Sequence, residues 1–392
     1  MKKSKRLFLI FTAVFLGCVL TVGIVLGVIS AVRSKDSVMK YKGVYLKEGV
    51  ANYISASYKN EYINALIKSN ISASDDESFW SSEAYDGVTY GDLLAKSTER
   101  YLMSVIIGSY LFDRNSRYTK EDKANVQRAI DEVLYYRADS SQVRFNEIGA
   151  EMGFTFEDFE KASVLLYKYQ RAEDIIFGEE GESLTSGGFS AECNEFFLNN
   201  YSKVRVMLIR TDGEWETDKE TGEPTFRGYS DVEKERILES IADIRAKISD
   251  GRMNEEAFIW HIENEYPTGT PNDTDGYYFA NGSSYSLQFM EEGIDDGADE
   301  IVNLALSMGV GEYAECELEI GTCFIYKCEL DGSAYSNSSL SRFFEDFYKL
   351  AKPYVYSKSV EVFFSDVSVK DRYNENYVIT QPRNSLLRVT FD

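Results

Sequence analysis

Apolar residues in this chain change their spacing several times, and each change marks an element. From Leu7 to Val32 no charged residue occurs. That run exceeds the ~20 apolar residues that cross a bilayer and the ~7–15-residue core of a cleavable signal. Residues 38–58, VMKYKGVYLKEGVANYISASY, read as a short strand leading into a helix that continues through residues 59–72. The polar stretch SASDDESFWSSEAYDG reads as a loop. In GDLLAKSTERYLMSVIIGSYL, Leu94, Leu102, Val105, Ile106 and Leu111 fall mostly on one helical face. Thr119 with Asp122, and later Thr155 with Asp158, have capping-box spacing. Val126, Ile130, Val133 and Leu134 form the apolar stripe of the first helix so capped. Residues 34–200 are therefore expected to be mostly helical.

Near Val204 the period drops to two. KVRVMLIRT sets Val204, Val206 and Leu208 against Arg205, Met207 and Ile209, which predicts a strand. A polar loop follows. Ser230 and Glu233 then cap a long helix with Ile237, Ile241, Ile244 and Ile248 on one stripe, ended by Gly251. Phe258–Ile262 reads as a second short helix and residues 267–276 as a loop. After Asp331 a Ser/Asn-rich break, GSAYSNSS, precedes LSRFFEDFYKLAKPYVYSKSVEVFF, a helix interrupted by Pro353. The tail from Val367 offers one more strand. No internal repeat is evident.

Charge and composition narrow the picture. Lys2, Lys3, Lys5 and Arg6 outweigh Arg33 and Lys35 across the apolar run. This places residues 1–6 in the cytoplasm, makes 7–32 a single-pass anchor in the cell membrane, and leaves the body extracytoplasmic. A lipoprotein signal at Phe15-Leu16-Gly17-Cys18 is the alternative, but the apolar run continues well past Cys18 and Phe15 fits the first box position poorly. The net charge of −23 repels phosphate backbones and argues against nucleic acid as a partner. A hydrophobic share of 44% over 392 residues supports real cores in two or three domains.

Candidate chemistry is sparse. No Cys/His metal spacing occurs and the only histidine is His261, so no metal or cofactor is expected. Cys193 stands alone, while Cys316, Cys323 and Cys328 cluster. Cys316 and Cys323 flank a tight turn, and an extracytoplasmic site permits a disulfide. Buried free thiols are the reading we favour. There is no Ser/His/Asp set for a hydrolase, and Asp75-Asp76 read as solvated loop charges. A structural surface protein would carry repeats or wall-anchoring motifs, and neither is seen.

One stretch is more specific. Asp273–Leu330 reads DTDGYYFANG, then a helical run ending NLALSMGVGEYAECELEIGTCFIYKCEL, hinged at Gly321. This resembles the C-terminal half of a parvulin-type (PpiC-type) peptidyl-prolyl isomerase domain. With the strand at Val204 and the two helices after it, a β-α-α-turn-α-β-β order spans about 203–331. The whole chain resembles the PrsA/SurA-type extracytoplasmic foldases, in which a helical chaperone domain is built from segments before and after an inserted parvulin domain. The resemblance implies an α+β fold: an N-terminal transmembrane helix, a helical domain over 34–200, the inserted α/β domain over 203–331, and a C-terminal helix and strand over 332–392 returning to the helical domain.

Prolyl isomerisation must cross a barrier near ~20 kcal/mol by losing amide resonance, with no covalent bond formed. Parvulins hold the ring with apolar side chains and place two histidines and a Cys or Asp behind it. By the resemblance, the first-strand histidine position falls on Met207, which opens MLIR, and the last-strand one on Cys323 in GTCFIYK. Both are substituted. The substrate-binding role falls on Tyr278 and Phe279 of the Gly-aromatic turn and on Phe289 or Met290. Asp275 replaces the apolar residue before Gly276, and Asp299 replaces the phenylalanine expected ahead of Ala305-Leu306. His261 lies away from both family positions and reads as a surface or satisfied histidine.

The implied function is that of a membrane-anchored foldase or chaperone whose clients are unfolded or secreted polypeptides. The alternative is a non-catalytic peptide-binding chaperone with a degenerate isomerase domain. The resemblance leaves both isomerase activity and a homodimer open. Aromatic-rich helices of residues 34–200, joined by Phe343, Phe344 and Phe347, are expected to supply a client cradle, with most of their rings in the core.

Overall fold

The computed structural model describes residues 37–218, 221–267, 272–280, 298–370, 373 and 382–391. The expected anchor 7–32, its flank 1–6, the Cys18 alternative, Phe289 and Met290 lie outside them. Among the described residues no helix is long and apolar enough to cross a membrane. The chain divides into two compact units. One comprises Met1–Ser186 with Lys352–Asp392, and the other is Gly187–Ala351.

The discontinuous unit is mainly helical. The single strand expected near residue 38 is a hairpin, β1 (Ser37–Tyr41) and β2 (Val44–Lys47). Its Lys42-Gly43 turn has φ of 40° and 93°, the left-handed pair that a tight hairpin needs. Then follow α1 (Glu48–Lys68), α2 (Glu77–Trp80), β3 (Glu83–Tyr85), β4 (Val88–Thr89), α3 (Tyr90–Asn115), α4 (Lys120–Ala138), α5 (Gln142–Ala150) and α6 (Phe156–Phe177). The capping boxes at Thr119/Asp122 and Thr155/Asp158 form as expected. A third, Thr89/Asp92, opens α3.

The stretch expected as a loop before α3 instead holds α2 and the β3–β4 hairpin. Asp75 is no solvated loop charge: Lys59 Nζ lies 2.5 Å from its carboxylate and Trp80 Nε1 donates to it at 3.0 Å. Asp76 caps α2 by accepting from Phe79 N–H at 2.8 Å.

The core of this unit is aromatic. Tyr53, Phe145, Phe154 and Phe159 are buried and meet edge-on or tilted, with centroids 4.8–6.2 Å apart. Lys352 ties the returning chain to the end of α6. Its Nζ reaches Asp174 Oδ1 at 2.6 Å and donates to Glu179 O at 2.7 Å, a cation placed where a helix C-terminus favours one. The tail adds β11 (Ser368–Val369), paired antiparallel with β1 through Met39↔Val369. Asn384 and Val389 then hold the tail to α1, with Asn384 N–H donating to Ala56 O at 2.9 Å and Val389 N–H donating to Tyr53 Oη at 3.1 Å.

The inserted unit begins with α7 (Ser190–Asn200) and is built on a four-stranded antiparallel sheet. Its strands are β5 (Tyr201–Arg210), β8 (Tyr277–Ala280), β9 (Tyr313–Leu318) and β10 (Gly321–Cys328), in the order β8-β5-β10-β9. Between β5 and β8 come β6 (Gly213–Thr217), β7 (Pro224–Gly228), α8 (Asp231–Ser249), α9 (Glu255–Asn264) and α10 (Asn272–Asp275). Then α11 (Ala298–Ser307) precedes β9. The expected β-α-α-turn-α-β-β order is thus present with three corrections, the first being that the residues of the Gly-aromatic turn after Gly276 form the strand β8. The polar loop after β5 is the β6–β7 hairpin, pinned by Arg227 to Glu214, Glu216 and Glu233. The loop at 267–276 ends in the short helix α10.

The strand β5 is buried on both faces, which explains its apolar residues at both parities. Val204, Val206 and Leu208 pack beneath α11 with Ile301, Val302 and Ala305. Met207 and Ile209 pack with Ile241, Ile244, Phe258 and Ile262 of α8 and α9. At Gly321 a Cβ would lie 2.2 Å from Ile209 O, so only glycine lets the hairpin turn back this close to β5.

The inserted unit is wider than 203–331 because aromatic packing recruits its flanks. Tyr335 stacks on Phe347 at 4.0 Å, Phe197 stacks on Tyr201 at 4.8 Å, and Phe344 meets Phe197 at 5.4 Å. The helix expected from Leu340 starts only at Phe347 as α12 (Phe347–Glu361), after two 3-10 segments, and it runs on through Pro353. The division between units falls inside α12.

Candidate functional site

Of the two positions that the resemblance singles out for chemistry, Cys323 lies on the face of the sheet under α11. It sits at the centre of that face, on β10. Its cross-strand neighbours are Leu208 on β5 and Cys316 on β9. One step along, Ile325 lies between Val206 and Ala314. Tyr277 and Phe279 of β8 complete the floor, their rings stacked at 6.1 Å. All but the half-buried Ala314 are buried, and the surroundings are apolar.

Met207 is not part of this face. It pairs with Phe324 and points to the α8–α9 side. Successive strand residues alternate faces, so Met207 and Cys323 lie on opposite sides of one sheet. The structure therefore does not bring the two predicted catalytic positions together. The β5 residues that share the Cys323 face are Val206 and Leu208, and neither has a titratable group. Tyr278 and Phe279 are likewise split. Phe279 is in the core under α11, whereas Tyr278 packs against Phe343 and Phe344 at 5.2 and 5.1 Å. Both are buried, so neither is presented to solvent as a ligand-binding ring.

The electrostatics are those of a dry interior. His261 is buried on α9, with Nδ1 2.7 Å from Glu265 Oε2 and Nε2 3.4 Å from Lys247 Nζ. It is a satisfied structural histidine, as the sequence implied, though not a surface one. Lys327 is the one cation reaching in from β10. Its ammonium donates to Ser202 Oγ at 2.6 Å and to the Ala305 carbonyl near the end of α11, and burial lowers its pKa. It holds the helix to the sheet. Cys328 is pushed up to about 12 and Cys193 to about 11, both by burial, so these thiols are protonated and unreactive. All four described cysteines are free.

Two of the rings expected to join a client cradle lie in the core, as most of the rings were expected to. Phe344 and Phe347 are core residues of the inserted unit, 6% and 1% exposed. An open groove lies instead in the helical unit. It holds about 540 Å³ and runs beside β2 and α6. Val44, Tyr45, Val50, Val164 and Leu165 form its apolar lining. Lys47, Lys161, Lys168, Asp113, Glu157 and Glu160 supply charge of both signs. Asp113 and Lys168 are paired at 2.6 Å. Such a groove can take an extended apolar segment without demanding a particular sequence. The only sequence signal for it is that Val164 and Leu165 extend the apolar surface of α6 beyond its buried positions.

This chain is similar to PrsA foldases. PrsA from Bacillus subtilis shares 14% identity at a TM-score of 0.20, over 78% of this chain and 98% of that one. The foldase protein PrsA from Lactococcus lactis shares 12% at 0.21, over 77% and 98%. The peptidylprolyl isomerase PrsA from Bacillus cereus shares 12% at 0.22, over 74% and 93%. No protein-family model matches the chain and no curated protein does.

Proposed function

We propose that this chain is a membrane-anchored, extracytoplasmic foldase that acts mainly as a holder of unfolded polypeptides. The observation that carries this reading is the architecture. A parvulin-ordered sheet unit is inserted into a helical unit, and that helical unit carries an open apolar groove rimmed by both charges. The anchor and the outward orientation of the body rest on the uncharged run Leu7–Val32 and its basic flank.

The apolar, histidine-free face around Cys323 favours the non-catalytic form of this reading. Stabilising a twisted amide needs polar groups aimed at the bond. The groups near Cys323 are Leu208, Val206, Ile325 and a second thiol. The inserted unit then serves as a peptide-binding or spacing module. The test is suppression of aggregation of an unfolded client by the purified full chain at stoichiometric ratio, run beside an X–Pro isomerisation assay. Suppression with slow isomerisation supports the proposal. Absence of suppression overturns it.

A further inference from the structure

Two of the buried thiols face each other. Cys316 on the edge strand β9 and Cys323 on β10 are direct cross-strand partners, flanked by Glu317↔Thr322 and Glu315↔Phe324 in an unbroken register. Directly opposed residues in an antiparallel pair have Cα atoms about 4.5 or 5.5 Å apart, according to the hydrogen-bonding position. A disulfide accepts Cα separations of roughly 4.4–6.8 Å, so either position fits. Both side chains point to the same face, under α11. Strand register and turn hold the pair directly opposite each other, so that a local adjustment of the edge strand is enough to bring the sulfurs together.

We propose that Cys316 and Cys323 are a reversible disulfide site, oxidised by thiol–disulfide exchange with a low-molecular-weight disulfide. The Cys316 thiolate attacks one sulfur of the oxidant and expels one oxidant thiol. Cys323 then attacks Cys316 of the mixed disulfide and expels the second. Two electrons pass to the oxidant, and the two cysteine protons end on the two released thiols. Cys316 is the first nucleophile for two reasons. It lies on the edge strand, where local opening is least costly. Its thiol is also held below the ordinary value, because Cys323 hydrogen-bonds to it. Cys193 and Cys328, whose pKa burial raises, do not compete. The bond would tie the edge of the sheet to its central strands beside the face described above.

The experiment uses the purified, reduced full chain and oxidised glutathione. After quenching, free thiols are alkylated under denaturing conditions and counted by mass, and the linked peptides are sequenced. The expected result is loss of two of the five thiols. A peptide joining residues 316 and 323 should appear, and dithiothreitol should reverse both changes. Cys193→Ser/Cys328→Ser should still lose two thiols, and Cys316→Ser should form no intramolecular link. Amide exchange along β9 should slow on oxidation. Retention of all five thiols, glutathione adducts alone, or a link through Cys193 or Cys328 would each overturn the proposal.

Discussion

Met207 pairs across the sheet with Phe324, one residue out of step with Cys323, and so faces the opposite side of the inserted unit. This offset decides how the two positions are to be treated. Cys323 belongs to the face under α11, and Met207 belongs to the core against α8 and α9. Their direct cross-strand neighbours are Phe324 for Met207, and Leu208 and Cys316 for Cys323.

Isomerisation should therefore be slow and insensitive to Cys323. In a protease-coupled X–Pro assay on the full chain, Cys323→Ala is expected to change the rate by less than about threefold, under ~0.7 kcal/mol of barrier. Met207→Ala should instead act on stability, by about 2–4 kcal/mol, because it empties a fully buried site. A strong rate that vanishes in Cys323→Ala with the fold intact would make Cys323 a true site residue.

Client holding should depend on the groove of the helical unit. Tyr45 and Leu165 line it from β2 and α6, and both are only half-buried. Tyr45→Asp/Leu165→Asp places carboxylates on the apolar floor and should weaken aggregation suppression severalfold. The cost to stability should stay near 1–2 kcal/mol, since neither side chain is in the core. Equal suppression by the variant and the parent chain would move the client site elsewhere.

How much of this was legible in the sequence depends on what holds each element. Helices with a polar cap and an apolar stripe were readable, as at Thr119, Thr155 and Ser230, because a cap and a period mark both ends. The β5 strand was readable too, but not which of its faces matters. A strand buried on both sides carries apolar residues at both parities, and periodicity cannot label them. The β6–β7 hairpin was missed because ion pairs from Arg227 hold it, with little apolar alternation. The groove was missed because half-buried residues from separate segments build it. The width of the inserted unit follows from ring contacts such as Tyr335 on Phe347, which only the folded chain brings together.

Acid stability offers a test of the capping box on α8. The Ser230 hydroxyl donates to Glu233 Oε2 at 2.6 Å, the Ser230 N–H donates at 2.8 Å, and Arg227 Nη1 donates to Oε1 at 3.0 Å. These bonds, with the Ser230 hydroxyl first, lower the Glu233 pKa from 4.5 to about 2. A depressed folded-state pKa means that the unfolded chain takes up the proton first. The stabilisation is thus complete above about 4.5 and lost as pH falls from there toward about 2. Glu233→Gln should flatten the fall of stability in that window and leave the slope above it unchanged. Thermal melts across the window check this, and an unaltered acid slope would refute it.

The Lys59–Asp75 pair gives the sharpest stability test in the helical unit. Lys59 Nζ is 2.5 Å from Asp75, with the lysine side chain 2% exposed and the aspartate 22%. The ammonium also lies 5.2 Å from the Trp80 ring centroid, and the Trp80 indole donates to Asp75 at 3.0 Å. Burial lowers the Lys59 pKa, and Asp75 is the main influence in the other direction. The two partners are unequal in their access to water, so removing them should cost unequal amounts. Asp75→Ala removes the carboxylate that faces a buried cation and leaves an indole donor open, and should cost about 3 kcal/mol. Lys59→Met keeps the apolar stem and leaves a carboxylate that reaches solvent, so it should cost about 1–2 kcal/mol. The double variant should lose less than the sum, with a coupling of about 1–2 kcal/mol in urea denaturation. Simple additivity would mean that the pair contributes nothing beyond its packing.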